Sequence, residues 1–380
     1  MASLLREEEH LAGQYPISVV IPAYGRPDLL RRCLAALLRD GLKNAEVVVV
    51  DDASPQDLRS QVQTGLAKET AASTPAADWQ DGAHARQAGP EATVRWLRME
   101  RNGGPAAARN RGLEAARHDW VFFLDADVEL SPGALVRIRE SLHVYEHRPE
   151  VAGVLGVYDE ELPWDDFWSN YKNLSVCFLY AVTETVSPYL HTPLFTVRRQ
   201  VLEREGGFDS RFATAEDFRL GVLLGSQGRR FVIDRNLKGV HLKRYDFKGI
   251  LREDRRRLED LRQLDLPPQS RAFALRAHRF SRLLSASLPA PLLLTLLASP
   301  LWPPLLWATA AMVVLFAAAN LRFFNYMRRQ RGWGFAVRSL GFLFVEMLWA
   351  QWCILPGLAA KVLSKLGRAA SGKPLSKSVR

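Results

Sequence analysis

The sequence predicts an α/β domain wound as parallel β-α-β units, followed by a C-terminal helical membrane region. Three observations carry this reading. Short apolar runs, Ile17 to Ile21, Glu46 to Val50 and Trp120 to Leu124, are separated by helical stretches, the pattern of buried parallel strands. The runs stop at Pro22, Asp51-Asp52 and Asp125-Ala126-Asp127, and in such sheets ligands sit at the carboxyl ends of the strands. Finally, Leu283 to Leu321 contains no Asp, Glu, Lys or Arg, enough apolar chain for two short membrane spans.

Taken in order, residues 1–14 form an N-terminal tail, and its acidic start, Met1 to Glu9, lacks the apolar core of a signal peptide. The first strand ends at Pro22. Arg26-Pro27-Asp28 then opens a helix whose apolar stripe is Leu29, Leu30, Leu34, Leu37 and Leu38. After the second strand, residues 60–92 are rich in Ala, Gln, Thr, Gly and Pro, which predicts a helix followed by a flexible insertion without chemistry. Gly103-Gly104-Pro105 is a glycine turn opening a helix that runs through Ala108, Arg109 and Asn110; small residues permit close packing, and a helix N-terminus favours anions. A tight helix entry with no ligand fits the same residues.

Charge and cysteines bound the partners. A formal net charge of +10 suits an anionic partner. The excess lies after Lys238, in Lys243-Arg244, Arg252, Arg255-Arg256-Arg257, Arg328-Arg329, Arg331 and the tail. Its closeness to the apolar segments favours an anionic membrane surface, not nucleic acid. Cys33, Cys177 and Cys353 are odd in number and lack metal-ligand spacing, which suits a reducing compartment.

The C-terminal region divides into basic juxtamembrane helices over 251–282, a transmembrane helical hairpin over 283–321 turned at Pro300, Pro303 and Pro304, and a basic loop over 322–338. A third hydrophobic segment over 339–360 and a basic tail over 361–380 follow. With the N-terminal domain cytoplasmic, two spans return the arginine-rich loop to the cytoplasm. A third full span would export the basic tail, so an interfacial segment is expected there.

Two acidic motifs carry the chemistry. Asp125 and Asp127, at i and i+2 after a buried strand, can share a divalent cation that also takes phosphate oxygens; an Asp-x-Asp at a strand end also makes a turn or a cap. Downstream, Gly206-Gly207-Phe208-Asp209 precedes Glu216-Asp217 at the start of a helical pattern. Carboxylates there are stabilised as anions, and an acidic pair is also a common helix-opening device.

The ordered set Ile21-Pro22-Ala23-Tyr24, Val50 to Ser54, Asn102 to Asn110, Asp125-Ala126-Asp127, and Gly206 to Asp209 with Glu216-Asp217 resembles the family 2 glycosyltransferases of the GT-A fold, a Rossmann-like nucleotide-diphospho-sugar transferase domain. The resemblance covers roughly residues 15 to 250. It implies that Pro22, Ala23 and Tyr24 line the nucleotide pocket, that Asp52 binds the base, and that Arg109 helps hold the nucleotide. It further implies that Asp127, with Asp125, binds Mg or Mn against the diphosphate. Asp217 resembles the general base that deprotonates the acceptor hydroxyl, with Glu216 in support. The family often places a histidine where His241 stands, near the metal or the diphosphate; a lone histidine after a strand is also commonly structural.

Two residues depart from the pattern: Gly25 stands where many relatives have Asn, and Arg219 where many have a further acid. The Gln-x-x-Arg-Trp motif of the family's processive synthases is missing after the acidic pair, so single transfers are expected. The resemblance thus implies an inverting, metal-dependent, non-processive enzyme at the cell (inner) membrane, its catalytic domain cytoplasmic. Its partners would be a nucleoside-diphosphate sugar donor and a lipid-linked or membrane-proximal acceptor. A nucleotidyltransferase and an inactive membrane-anchored nucleotide-sugar scaffold are the competing readings.

Overall fold

The computed structural model describes residues 9–70, 78–81, 93–187, 190, 193–271 and 280–370. Most of the insertion expected over 60–92, the start of the N-terminal tail, part of the juxtamembrane stretch and the last ten residues of the basic tail lie outside the described residues. The chain divides into two compact units, Met1–Asp246 with Gln263–Ala277, and Phe247–Arg262 with His278–Arg380.

The first unit is built on a 10-stranded sheet in the order β3-β4-β2-β1-β5-β9-β7-β10-β6, with β8 beside β10. The strands are β1 Ile17–Ala23, β2 Ala45–Asp51, β3 Asp78–Asp81, β4 Thr93–Arg98, β5 Trp120–Leu124, β6 Val128–Leu130, β7 Val151–Tyr158, β8 Val186–Ser187, β9 Leu194–Arg198 and β10 Arg230–His241. All three strands read from the sequence are present, and β1 pairs in parallel with both β2 and β5. The parallel winding does not extend through the sheet. β9 runs antiparallel to both β5 and β7, and β6 antiparallel to β10.

Continuous burial explains why the β1, β2 and β5 runs were legible: Val47 to Val50 and Val121 to Leu124 are completely inaccessible, as expected of strands covered on both faces. The 60–92 segment departs from the expectation in part. After the helix Leu58–Thr70, Asp78–Asp81 adds a strand to the open edge of β4, where unpaired backbone groups accept another strand. The helix Gly104–Ala115 packs its buried small residues Ala106, Ala108 and Gly112 toward β1 and β2. One buried polar cluster lies in the interior: Glu46 pairs with the inaccessible Arg95 at 2.8 Å and accepts from Ser18 Oγ at 2.7 Å. Cys33, Cys177 and Cys353 are free thiols.

The second unit is helical: Phe247–Gln263, Phe280–Ser287, Pro289–Ala298, Leu305–Ala319 and Leu321–Ala370. Its helices differ in length. Leu321–Ile354 is, among the described residues, the helix long and apolar enough to cross a membrane. The apolar helices Leu283–Ala298 and Leu305–Ala319 are shorter, about 23 Å at 1.5 Å per residue against a hydrocarbon core of about 30 Å. The basic stretch expected as a loop over 322–338 is mostly helical and joins the third apolar segment, interrupted only at Gly332 with φ 84° and ψ 179°, a conformation open to glycine. Polar groups brace the helices. Asn320 Nδ2 donates to Ser285 Oγ at 2.7 Å, and Gln351 bonds the backbone of Ala286 and Ala290 at 2.6 and 2.9 Å. Leu301, Trp302, Trp307, Val314, Trp333 and Trp352 face outward, each at least 62% exposed, an apolar surface of the kind that marks a membrane or protein contact.

Candidate active site

The site lies where the parallel strands of the first unit end. Asp51 closes β2, opposite Ala23 on β1. Its carboxylate accepts from Ser54 N at 2.8 Å, and Asp52 N donates to Ala23 O at 2.8 Å. The loops here adopt costly backbone angles: Arg26 and Ala53 have φ of 51° and 57°, left-handed values that non-glycine residues keep only where the surroundings enforce them. Gly25 N donates to Ser54 Oγ at 2.8 Å, tying the first loop to the second. Of the three residues expected to line a pocket here, Pro22 is half-buried, Ala23 buried, and Tyr24 53% exposed.

Asp52 is buried, and its two oxygens accept from Gly103 N at 2.7 Å and Gly104 N at 2.8 Å. The glycine turn that opens the helix Gly104–Ala115 therefore grips a carboxylate of this chain. Burial raises the Asp52 pKa, with the amides opposing and the Asp51 charge reinforcing.

Arg109 occupies the centre. Buried at 4% exposure, it donates from Nη1 to Glu216 Oε1 at 2.7 Å and from Nη2 to Asp125 Oδ1 at 2.8 Å. It thus links the two acidic motifs, which lie far apart in sequence. Burial acts to lower its pKa, but Asp125 and Glu216 outweigh this and hold it charged. Removing one partner of such a buried set leaves uncompensated charge, at a cost of about 3–5 kcal/mol. Arg109→Met is therefore expected to lower stability by about that amount in chemical denaturation; a change below about 1 kcal/mol would show that the bridge does not brace the site.

Asp127 lies beside His241, with Nε2 3.6 Å from Oδ2. The pairing of β6 with β10 sets this distance, because His241 faces Val128 across the ladder and Leu242 N donates to Asp127 O at 2.7 Å. The His241 ring stacks on Tyr158 at 4.5 Å and 6°, and Tyr245 meets it edge-on at 6.1 Å. Burial acts to raise the Asp127 pKa, but the hydrogen bond and charge of His241 hold it below the usual carboxylate range.

Glu216 and Asp217 form the first turn of the helix Glu216–Ser226, and both are buried. Asp217 Oδ1 accepts from Phe218 N at 2.6 Å. The glycine turn before them is locked to Asn110, whose side chain exchanges two 2.8 Å bonds with the backbone of Phe208. Gly207, at φ 77°, leaves no room for a Cβ, which would sit 2.4 Å from Asn110 Oδ1. Arg219 pairs with Asp209 at 3.3 Å.

Burial and the neighbouring Asp217 push the Glu216 pKa up to about 7, against Arg109. An acid whose folded pKa exceeds its unfolded value favours folding below the unfolded pKa, and that contribution is lost as pH rises through the folded value. At about 1.4 kcal/mol per unit, the loss between pH 4.5 and about 7 is on the order of 3 kcal/mol. In metal-free protein, Glu216→Gln should flatten the pH dependence of the melting temperature across this window; parallel curves for both proteins would refute the assignment.

Of the residues singled out in the sequence, the fold joins Asp125, Arg109 and Glu216 in one network, Asp127 with His241, and Asp52 with the glycine turn. Tyr158 and Tyr245 were missed, since no motif connects β7 and the segment after β10 to Asp127. No group of three or more His, Cys, Asp or Glu able to hold a metal occurs among the described residues. A Mg²⁺ or Mn²⁺ site needs no such group when phosphate oxygens and water complete its shell. Two adjacent ligand atoms on such a metal lie about 3 Å apart for bonds of about 2.1 Å; Asp127 Oδ2 and His241 Nε2 stand 3.6 Å apart, so a small side-chain movement would bring both onto one ion, with Asp125 two residues away in sequence.

The sequence profile of the family described as "Glycosyltransferase like family 2" matches residues 14–258, the whole sheet and every carboxylate above. The chain belongs to glycosyltransferase family 2. The domain has the GT-A class of α/β fold. It is 33% identical over 129 residues to the succinoglycan biosynthesis protein ExoW of Rhizobium meliloti, covering 33% of this chain and 34% of the relative. It is 29% identical over 119 residues to the GalNAc(5)-diNAcBac-PP-undecaprenol beta-1,3-glucosyltransferase of Campylobacter jejuni, covering 31% and 32%. The matches thus span about a third of the length of these curated relatives. Among solved structures, the mannosyltransferase PcManGT from Pyrobaculum calidifontis, in complex with GDP-Man and Mn²⁺, aligns over 82% of this chain and 87% of its own, at 21% identity and a TM-score of 0.48.

Proposed function

We propose that the transferase moves one sugar per encounter, with inversion, from a nucleoside-diphosphate sugar to a lipid-linked or membrane-proximal acceptor. The observation that carries this is the Arg109 bridge, which holds the Asp125 carboxylate and Glu216 on one guanidinium and so sets the Asp-x-Asp turn opposite the acidic helix start.

In this reading Pro22, Ala23 and Tyr24 border the nucleotide, and Asp52, fixed by the Gly103 and Gly104 amides, meets the base. Asp127, with His241 and Asp125, would hold Mg²⁺ or Mn²⁺, which supplies positive charge against the diphosphate as it departs. Asp217 takes the proton of the acceptor hydroxyl as that oxygen bonds to the anomeric carbon, while the bond to the diphosphate breaks and its electron pair leaves with the nucleotide. One displacement inverts the centre and requires no protein nucleophile. Glu216, bonded to Arg109, positions the acidic pair. NMR of the product after transfer from an α-linked donor should show a β linkage; an α product would contradict single displacement.

The membrane part rests on the helix Leu321–Ile354 and the outward-facing tryptophans and leucines of the second unit. The lipid-linked substrate in the printed name of the Campylobacter jejuni relative supports an acceptor of that class, and a role in cell-envelope glycan assembly follows. The catalytic unit would face the cytoplasm. The full chain should then remain with the inner-membrane fraction through a high-salt wash and leave it only with detergent; release by salt alone would contradict integration.

A further inference from the structure

We propose that the first unit holds a second ligand site, for a small organic phosphate, at the end of the sheet opposite the carboxylates. A cavity of about 380 Å³ opens there, and its lining includes Trp120, Tyr145, Arg148, Arg198 and Arg229. Trp120 is the first residue of β5, whereas Asp125 follows its last. At about 3.3 Å per residue the cavity and the catalytic carboxylates are roughly 16 Å apart along that strand. One nucleotide sugar at the carboxylates therefore leaves this cavity unexplained.

The lining has the composition of a site for an oxyanion with an apolar body. Leu142, Val151, Val154 and Val201 supply apolar wall. Three guanidiniums stand around it, each restrained by one contact. Arg198 lies 4.6 Å over the Trp120 ring, Arg148 5.9 Å from the Tyr145 ring, and Arg229 Nη1 donates to Pro149 O at 2.8 Å. Among the described residues none of the three forms an ion pair with a carboxylate. The buried Arg95 and Arg109, by contrast, are both paired. The acid in the lining, Glu146, is engaged elsewhere, accepting from Tyr15 Oη at 2.7 Å and from Gln14 Nε2 at 3.2 Å. With three arginines against one glutamate, the cavity carries an excess of positive charge.

Like charges gathered without counter-ions attract an anion, and guanidinium forks match phosphate oxygens in pairs. Restraint by the aromatic rings reduces the ordering cost of binding. The volume falls within the range of small-molecule sites and exceeds what a bare phosphate fills, so the ligand is a phosphate ester with a planar or apolar group against the valine wall.

Phenyl phosphate is a suitable probe, with inorganic phosphate as the comparison. Calorimetric titration of the full chain in detergent, with EDTA present, should show phenyl phosphate binding more tightly than phosphate. Arg148→Gln combined with Arg198→Gln should weaken it by about tenfold or more, the loss of at least one charge-assisted hydrogen bond. A nucleoside diphosphate in excess should not displace it. In the unmutated protein, hydrogen exchange should slow on probe binding in residues 145–154. The proposal is overturned by no binding at millimolar probe, by equal affinity in the double variant, by displacement with the nucleoside diphosphate, or by protection confined to the carboxylate end.

Discussion

Asp217→Asn is expected to lower kcat/KM for transfer by about two to four orders of magnitude, the usual contribution of a positioned base, while metal-dependent nucleotide binding stays within a few-fold of the parent. The amide preserves the shape of the side chain and its bond from Phe218 N, so the helix Glu216–Ser226 keeps its first turn. What disappears is the acceptor of the substrate proton. Asp217 Oδ2 has no hydrogen-bond donor among the described residues, which leaves it free for the acceptor hydroxyl. Near-normal turnover in this variant, with an unchanged melting temperature, would remove Asp217 from that role.

The second large effect is expected at Asp127. Asp127→Ala should abolish the dependence of nucleoside-diphosphate affinity on Mg²⁺ or Mn²⁺ and reduce transfer to background. The carboxylate lies beside His241 Nε2, and its backbone is pinned by Leu242 N, so substitution deletes a ligand without releasing the strand pairing. His241→Ala should weaken the metal dependence less, because a carboxylate is the harder ligand for these cations. Titrations of nucleotide with and without metal decide the matter: a metal-linked affinity in the Asp127 variant equal to the parent's would sink the metal assignment.

Much of the catalytic unit was legible because its strands are buried on both faces and so read as unbroken apolar runs. The same property exposed the strand-end carboxylates. The antiparallel insertion of β9 between β5 and β7 was not legible, because five residues from Leu194 to Arg198 carry no record of which neighbours they join. The resemblance implies a nucleotide contact for Arg109, and only the fold reveals that Glu216 and Asp125 also engage its two terminal nitrogens. His241 shows the converse. A lone histidine after a strand is ambiguous until β6 and β10 pair and bring it to Asp127. In the second unit the stretch expected as a basic loop is mostly helical, with non-helical backbone angles at Gly332, because arginine is a good helix former and its charge pattern does not by itself mark a turn.

The central claim is that the carboxylates at the strand ends form a metal-assisted nucleotide-sugar site. Thermal unfolding of the full chain with UDP-, GDP- and dTDP-sugars, each with Mn²⁺, with Mg²⁺ and with EDTA, tests it most directly, since a ligand that binds only the folded state raises the melting temperature. The account predicts that one nucleotide class raises it in the presence of metal and that EDTA cancels the shift. A donor shift that persists unchanged in EDTA, or none with any donor, would contradict it.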